Sequence, residues 1–285
     1  MSKNSINLKI LIIFILLLIS GNLFCKHEYL KIHFIDVGEG DSILIQFPDK
    51  KNILIDTGNA ITEIDVYNYL KKNNVEKIDH LIITHPHPDH FAGVFLIAKL
   101  FEVKKFYDNA QDIRENVEDN DFYRWYNDFF RKDSRYSNLK AGDIINFNNA
   151  KLEVLWPGEL IYEDWNANSL VIMIKYGDFK VLLMGDANKL TESELIKKNI
   201  NIKANILKAG HHGADDTGLK EFIKMVDPEV TIISVDKNNI RGYPSQDVVN
   251  NYIKYGSKIY STYKNGTIII NAKKDGKYII NFKRF

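Results

Sequence analysis

The chain has 285 residues, 45% of them hydrophobic, with 38 Lys plus Arg against 37 Asp plus Glu. That is enough apolar material for one large domain or two small ones, and a formal net charge of +1 excludes a global basic field that would draw in nucleic acid. A single cysteine excludes an internal disulfide framework.

Residues 1–25 read as a targeting segment or anchor, and 26–285 as one domain. Lys3 and Lys9 flank the start of "ILIIFILLLIS" (10–20), an apolar run of secretory h-region length. It is short for a spanning helix, which needs about 20 residues; an uncleaved anchor is the alternative. The lone Cys25 follows in "GNLFC" and is placed like the acylated cysteine of a bacterial lipoprotein, although bulky Phe24 stands where a small residue is usual. Export is expected, to the periplasm, the cell surface or the medium, with membrane attachment through this segment or a lipid on Cys25.

Beyond residue 28, "LKIHFIDV" (30–37), "SILIQF" (42–47) and "NILIDT" (52–57) are β-branched runs bounded by turn residues, and predict an antiparallel meander. "ITEIDVYNYLKKN" (61–73) predicts a helix with Ile61, Ile64, Val66, Tyr67 and Leu70 on its apolar stripe. "HLIIT" (80–84) predicts a short buried strand, and "FAGVFLIAKLF" (91–101) a helix beginning just after His90. The stretch 105–150 is the least regular; within it, aromatic-rich "DNDFYRWYNDFFRK" (119–132) predicts a helix that either packs on the core or forms a lip over a site. Strands follow at 151–157, 168–177 and 179–185, and then helices alternate with strands to residue 272. Without repeats, low-complexity linkers or a Pro/Gly-rich boundary, the simplest account is an α/β domain of two sheets with helices outside.

The chemistry concentrates in "LIITHPHPDHFAG" (81–93). His85 and His87, two apart where a strand runs into a loop, point the same way and can share one ion. Asp89 and His90 follow where the chain turns, and aim at a neighbouring point. Two ions a few ångströms apart would clamp attacking and leaving oxygens. Imidazole and carboxylate suit zinc, and also manganese or iron. The alternative, a metal-free His-rich surface loop, fits poorly with H-x-H-x-D-H directly after a buried strand. Further candidates end other strands: Asp186 in "LLMGDAN", His211 and His212 in "ILKAGHHG", and Asp56 in "LIDTG", which suits a carboxylate holding a ligand histidine by its second nitrogen.

H-x-H-x-D-H, the "MGD" aspartate and the final "HHG" resemble the metallo-β-lactamase superfamily. "HFIDVGEGDSILIQFPDKKNILIDTGN" (33–59), "NANSLVIMIKYG" (166–177), "LLMGDAN" and "LKAGHHG" are similar to the metallohydrolase domain of ComEC-type DNA-uptake proteins and its free-standing relatives. The resemblance spans roughly residues 30–272 and implies an αββα sandwich: two mixed sheets face to face, helices outside, two metals at one edge. It implies His85 and His87 on the first metal, Asp89 and His90 on the second, and Asp186 bridging. His212 completes the second site, with His211 near the substrate phosphate or acting as acid. Asp56 stands behind the ligands, and Asp36 and Asp41 of "DVGEGDS" support the site.

Two departures stand out. The chain has 8 His, none between residues 91 and 210, where the wider superfamily supplies another first-metal ligand. The ComEC-like branch has N-x-x-S instead, matched by Asn166 and Ser169. In "NNIRGYP" (238–244) Tyr243 replaces a His usual in that branch, and could bond a phosphate oxygen or donate a proton.

The expected activity is hydrolysis of a phosphodiester by metal-bound hydroxide, with zinc, or manganese in its place, as cofactor and Asp89, His211 and Tyr243 in the catalytic set. Substrates in view are extracellular DNA or RNA, or a choline-phosphate or teichoic-acid-type surface group held by cation–π contacts with Tyr123, Trp125, Tyr126 or Trp165. A non-catalytic surface-binding protein on the same scaffold is the third reading. No obligate protein partner is implied.

Overall fold

The computed structural model describes residues 29–113, 120–160 and 164–284; the expected targeting segment and Cys25 lie outside the described residues. β1 (Leu30–Phe34), β2 (Ile43–Gln46) and β3 (Asn52–Ile55) form the expected antiparallel meander. Beside β3 the direction changes: β5 (His80–Ile82), β7 (Phe106–Asp108) and β8 (Tyr136–Asn138) add in parallel. On the other flank β16 (Thr267–Ala272) and β17 (Tyr278–Lys283) complete an eight-stranded mixed sheet. A small parallel pair, β4 (Lys77–Ile78) with β6 (Glu102–Val103), lies apart.

The second sheet has seven strands and the same plan. β9 (Ile144–Phe147), β10 (Ala150–Trp156), β11 (Val171–Tyr176) and β12 (Phe179–Leu183) run antiparallel, and β13 (Ile206–Lys208), β14 (Val230–Ile233) and β15 (Lys258–Ser261) continue in parallel.

Period-2 alternation makes this a sandwich. Leu30, Ile32 and Phe34 of β1 face Leu152 and Val154 of β10 and Val181 and Leu183 of β12 in one core between the sheets. The outer face of the first sheet, with Leu44, Leu54 and Leu81, is covered by helix Glu63–Lys72 and helix Val94–Leu100. That of the second, with Val171, Leu182 and Leu207, is covered by helices Lys189–Lys197, Lys220–Val226 and Gln246–Lys254. The layers are therefore α, β, β, α.

Two helical expectations need correction. Helix Glu63–Lys72 buries Val66, Tyr69 and Leu70, while Ile61 and Ile64 are 90% and 52% exposed. Ile61 precedes the helix, and the Tyr69 hydroxyl bonds to buried His33 Nδ1 at 2.7 Å, which fixes the inward face. The helix expected after His90 instead starts at Pro88, whose fixed φ suits the first helical position, and a separate helix begins at Val94. His90 thus lies inside a helical turn. Of the described residues of 119–132, Asp121–Trp125 is helical and Tyr126–Arg131 continues as a wider π-type turn.

Candidate metal centre

The first sheet supplies one half of the site from the ends of β3 and β5, where meander meets parallel strands. Asp56, immediately after β3, is fully buried with a left-handed φ of 57°. Thr84 N–H donates to its Oδ1 at 2.7 Å and Thr84 Oγ1 to its Oδ2 at 2.8 Å. His90 Nδ1 sits 2.8 Å from the same Oδ2, which turns Nε2 toward the second sheet. His85 Nε2 and His87 Nδ1 lie 2.9 Å apart, so both rings do address one point. Gly40 packs against the turn: with φ 101°, a Cβ there would sit 2.0 Å from the Asp89 carbonyl oxygen.

The second sheet supplies the other half from the ends of β12 and β13. Asp186 follows Gly185, and its N–H donates to Ser169 Oγ at 3.2 Å. His211 and His212 occupy consecutive left-handed positions, φ 40° and 53°, in the turn Gly210–Gly213. His212 Nδ1 donates to the Ser234 carbonyl at 2.9 Å and presents Nε2 to Asp186. His211 Nδ1 pairs with Asp216 Oδ1 at 2.9 Å, and its Nε2 is 3.3 Å from Asn166 Nδ2.

The halves meet at one carboxylate. Asp186 Oδ2 is 3.3 Å from both His90 Nε2 and His212 Nε2, and 3.8 Å from His85 Nε2. Two donor sets result, Asp89–His90–Asp186–His212 and His85–His87–Asp186, each with its ligand atoms within 4.8 Å of one another. Every member of both is buried except Asp89 and His87, which are partly open to solvent.

Electrostatics follow from this crowding. Burial holds His85 and His87 below the usual imidazole range. Burial works against charge on His90 and His212 as well, but Asp186 (joined at His90 by Asp56) outweighs it and raises both. Burial alone would raise the Asp186 carboxyl; His212 and His90 hold it well below the ordinary range instead. Asp56 is raised by burial despite His90.

A cation fits this arrangement on the evidence of the polar atoms themselves. His90 Nε2, His212 Nε2 and Asp186 Oδ1 are buried without a well-formed hydrogen bond, in a site where such groups otherwise cost free energy. The imidazole nitrogens of His85, His90 and His212 converging on one carboxylate oxygen are what one or two divalent ions require.

Several residues expected around the ligands lie beside the donor sets. Asn166 touches His211, and Ser169 orients Asp186. The Tyr243 ring stands 5.4 Å from that of His211. Asp41 joins Asp56 and His90 in a third group of buried donors. Asp36 does not belong with them. The chain turns away after β1, so its N–H bonds to Thr267 Oγ1 (3.0 Å) and its carboxylate faces Gly38, in a groove shared with Thr62, Asp65 and Lys237.

The aromatic candidates separate. The Trp165 ring lies 5.5 Å from both His87 and Tyr123, forming a wall beside the first donor set. Tyr126 is instead buried with its hydroxyl on Asp108 Oδ2 (2.8 Å), and Trp125 is 60% exposed against Phe95. Sequence reading missed Thr84, Ser234, Asp216 and Lys208. Lys208 carried a signal, since a lysine inside a strand that is otherwise wholly apolar must have a partner.

A model of the metallo-beta-lactamase superfamily matches residues 35–236. The chain belongs to that superfamily. It is 26% identical over 280 residues to ComE operon protein 3 of Bacillus subtilis, covering 88% of this chain and 36% of that protein. Competence protein ComA of Neisseria gonorrhoeae is 25% identical over 82% of this chain and 31% of its own length. The chain is thus similar to ComEC-type proteins, and spans about a third of the length of these curated relatives. Among solved structures, the metallo-beta-lactamase fold protein YhfI from Bacillus subtilis has a TM-score of 0.55 at 15% identity, covering 89% of this chain and 100% of that one. CmlA, a diiron β-hydroxylase from Streptomyces venezuelae, has a TM-score of 0.58 at 13% identity, over 86% of this chain and 54% of its own. At such identities the likeness is one of fold. No helix among the described residues is long and apolar enough to cross a membrane.

Proposed function

We propose that this superfamily hydrolase is an exported metal-dependent phosphodiesterase, with a nucleic-acid strand as its leading substrate. The observation that carries the reading is the sharing of Asp186 Oδ2 by histidines from both sheets, which gives two adjacent donor sets rather than one. Divalent ions, zinc or manganese, would supply Lewis acidity toward a phosphoryl oxygen and a water of lowered pKa. His85, His87 and Asp186 would hold one ion; Asp89, His90, Asp186 and His212 the other.

The remaining residues work on the substrate. Asp89, the most exposed carboxylate of the set, with 21% of its side chain open, is placed to hold the attacking water. His211, oriented by Asp216 and lying next to Tyr243, is placed to donate a proton to the leaving-group oxygen. Trp165, backed edge-on by buried Tyr123, offers a ring face on which a base can stack. The resemblance to ComEC-type DNA-uptake proteins supports the nucleic-acid reading.

The same wall favours a second reading, a choline-phosphate-type surface ester, since a quaternary ammonium also binds aromatic faces. Export, with membrane attachment through residues 1–25, rests on the apolar run and Cys25. Chelator-free protein assayed for Zn and Mn, then offered bis-p-nitrophenyl phosphate, p-nitrophenylphosphorylcholine and plasmid DNA beside His87→Ala, separates these readings. About two metals per chain and cleavage lost in the variant are expected. No metal and no turnover with either ion added would leave a non-catalytic binding protein.

A further inference from the structure

Beneath the donor sets lies a buried ion pair that joins the two sheets. Lys208, the last residue of β13 in the seven-stranded sheet, is 0% exposed, yet lysine is rarely buried without a partner. Its ammonium meets Asp41 Oδ2 at 2.5 Å and donates to the Gly185 carbonyl at 3.1 Å. Asp41, 1% exposed, sits on the β1–β2 loop of the eight-stranded sheet.

Both contacts end one step from the centre. Gly185 directly precedes Asp186, the shared carboxylate. Asp41 reaches, within 4.8 Å, a carboxylate oxygen of Asp56 and a nitrogen of His90. The Asp41 carbonyl also accepts from Gly58 N–H at 2.8 Å, which pins the segment just after Asp56. Three carboxylates, Asp41, Asp56 and Asp186, are thus buried together, with one fixed cation among them. Such a cluster is tolerated only where its charge is balanced.

We infer that Lys208 is a positioning residue for the metal centre: its tie to Asp41 and Gly185 sets the distance between the half-site of one sheet and the half-site of the other before any cation binds. This rests on the metal-dependent reading above. Asp186 and His212 come from one sheet and His90 from the other, so an error of an ångström in sheet spacing falls directly on the ligand geometry. Ligands held in place beforehand lose less freedom on binding, and partners behind the ligands characteristically govern metal affinity.

The test compares the native chain, Lys208→Met, and Lys208→Met with Asp41→Asn. Each is titrated with Zn2+ against a chromophoric chelator, and its thermal midpoint is measured in chelator. The double variant leaves no buried charge unpaired, so it separates positioning from the penalty of a lone Asp41, and it serves if Lys208→Met does not fold. Lys208→Met should bind Zn2+ about 10–100-fold more weakly. The double variant should recover a near-native midpoint and keep at least a tenfold loss of affinity. Zn2+ affinity within about twofold of native in the double variant overturns the inference, because the loss would then belong to the stranded carboxylate. Failure of the double variant to fold also overturns it, by making Lys208 a residue of stability alone. A native chain that takes up no Zn2+ removes the metal-dependent reading and the inference with it, a result distinct from native uptake unaffected by the variants.

Discussion

Asp56 performs three tasks with two oxygens: it accepts from the Thr84 amide, the Thr84 hydroxyl and His90 Nδ1. The last of these decides which nitrogen of His90 is offered to a cation. Asp56→Asn should therefore weaken zinc uptake by about 10–100-fold without changing the ligand set, as seen by competition against a chelator. Asp216 stands in the same relation to His211, but its side chain is 42% exposed, so its grip is looser. Asp216→Asn should lower kcat about tenfold for an alkoxide leaving group. With p-nitrophenolate, which leaves without a proton, kcat should change little, and an equal loss for both would remove His211 from proton donation.

Single elements carry their own tests. The β1–β2 loop depends on Gly40, whose φ is 101° and whose absent Cβ leaves room for the Asp89 carbonyl. Gly40→Ala should cost at least about 1–3 kcal/mol in urea unfolding and lower zinc occupancy, since the Asp89–His90 turn must move. Glu192, on helix Lys189–Lys197, is buried and accepts from the Gly218 and Leu219 amides, so that it caps helix Lys220–Val226. Burial pushes its carboxyl up to about 7, against those two bonds. A carboxyl raised in the fold contributes most below its unfolded pKa, and the contribution is lost as pH rises through the folded value. Between pH 4.5 and 8 the native chain should thus lose on the order of 3 kcal/mol relative to Glu192→Gln, measured by chemical denaturation in chelator. The elements most legible in the sequence were those with strong local patterns. The β1–β3 meander alternates cleanly, and His85, His87, Asp89 and His90 announce themselves by spacing. β7 and β8 were not legible, because Asp108, which takes Tyr126, Arg131 and Tyr136, organises them across a distance no local pattern records. β17 was missed because its exposed Ile279 and Phe282 blur the inward and outward faces. Asp36 was misplaced for a related reason: "DVGEGDS" shows two aspartates, and only backbone direction separates Asp41, at the site, from Asp36, outside it.

Taken whole, the molecule sets two sheets of like plan face to face and gathers its donors where each changes from antiparallel to parallel, at the C-terminal ends of β3, β5, β12 and β13. That is where open α/β sheets leave a crevice. A cation there joins the sheets, so it binds the folded chain and not the unfolded one. Chelation should lower the unfolding free energy, by about 2.7 kcal/mol when free zinc had stood at 100 times its Kd. Calorimetry with and without chelator checks this, and an unchanged transition would mean that no ion binds the folded chain in preference to the unfolded one. The wall beside the donors has a different origin. Trp165 and Tyr123 come from the stretch between His90 and Asp186, which contributes no histidine. On the proposed function, the metal-ligand side chains and the aromatic wall therefore come from separate lengths of chain, although Asn166 and Ser169 of the same stretch also touch His211 and Asp186. On that same reading, exchanging the segment around Tyr123 would retarget the enzyme while its donor sets stayed as they are, so substrate range on this scaffold is free to diverge faster than reaction type.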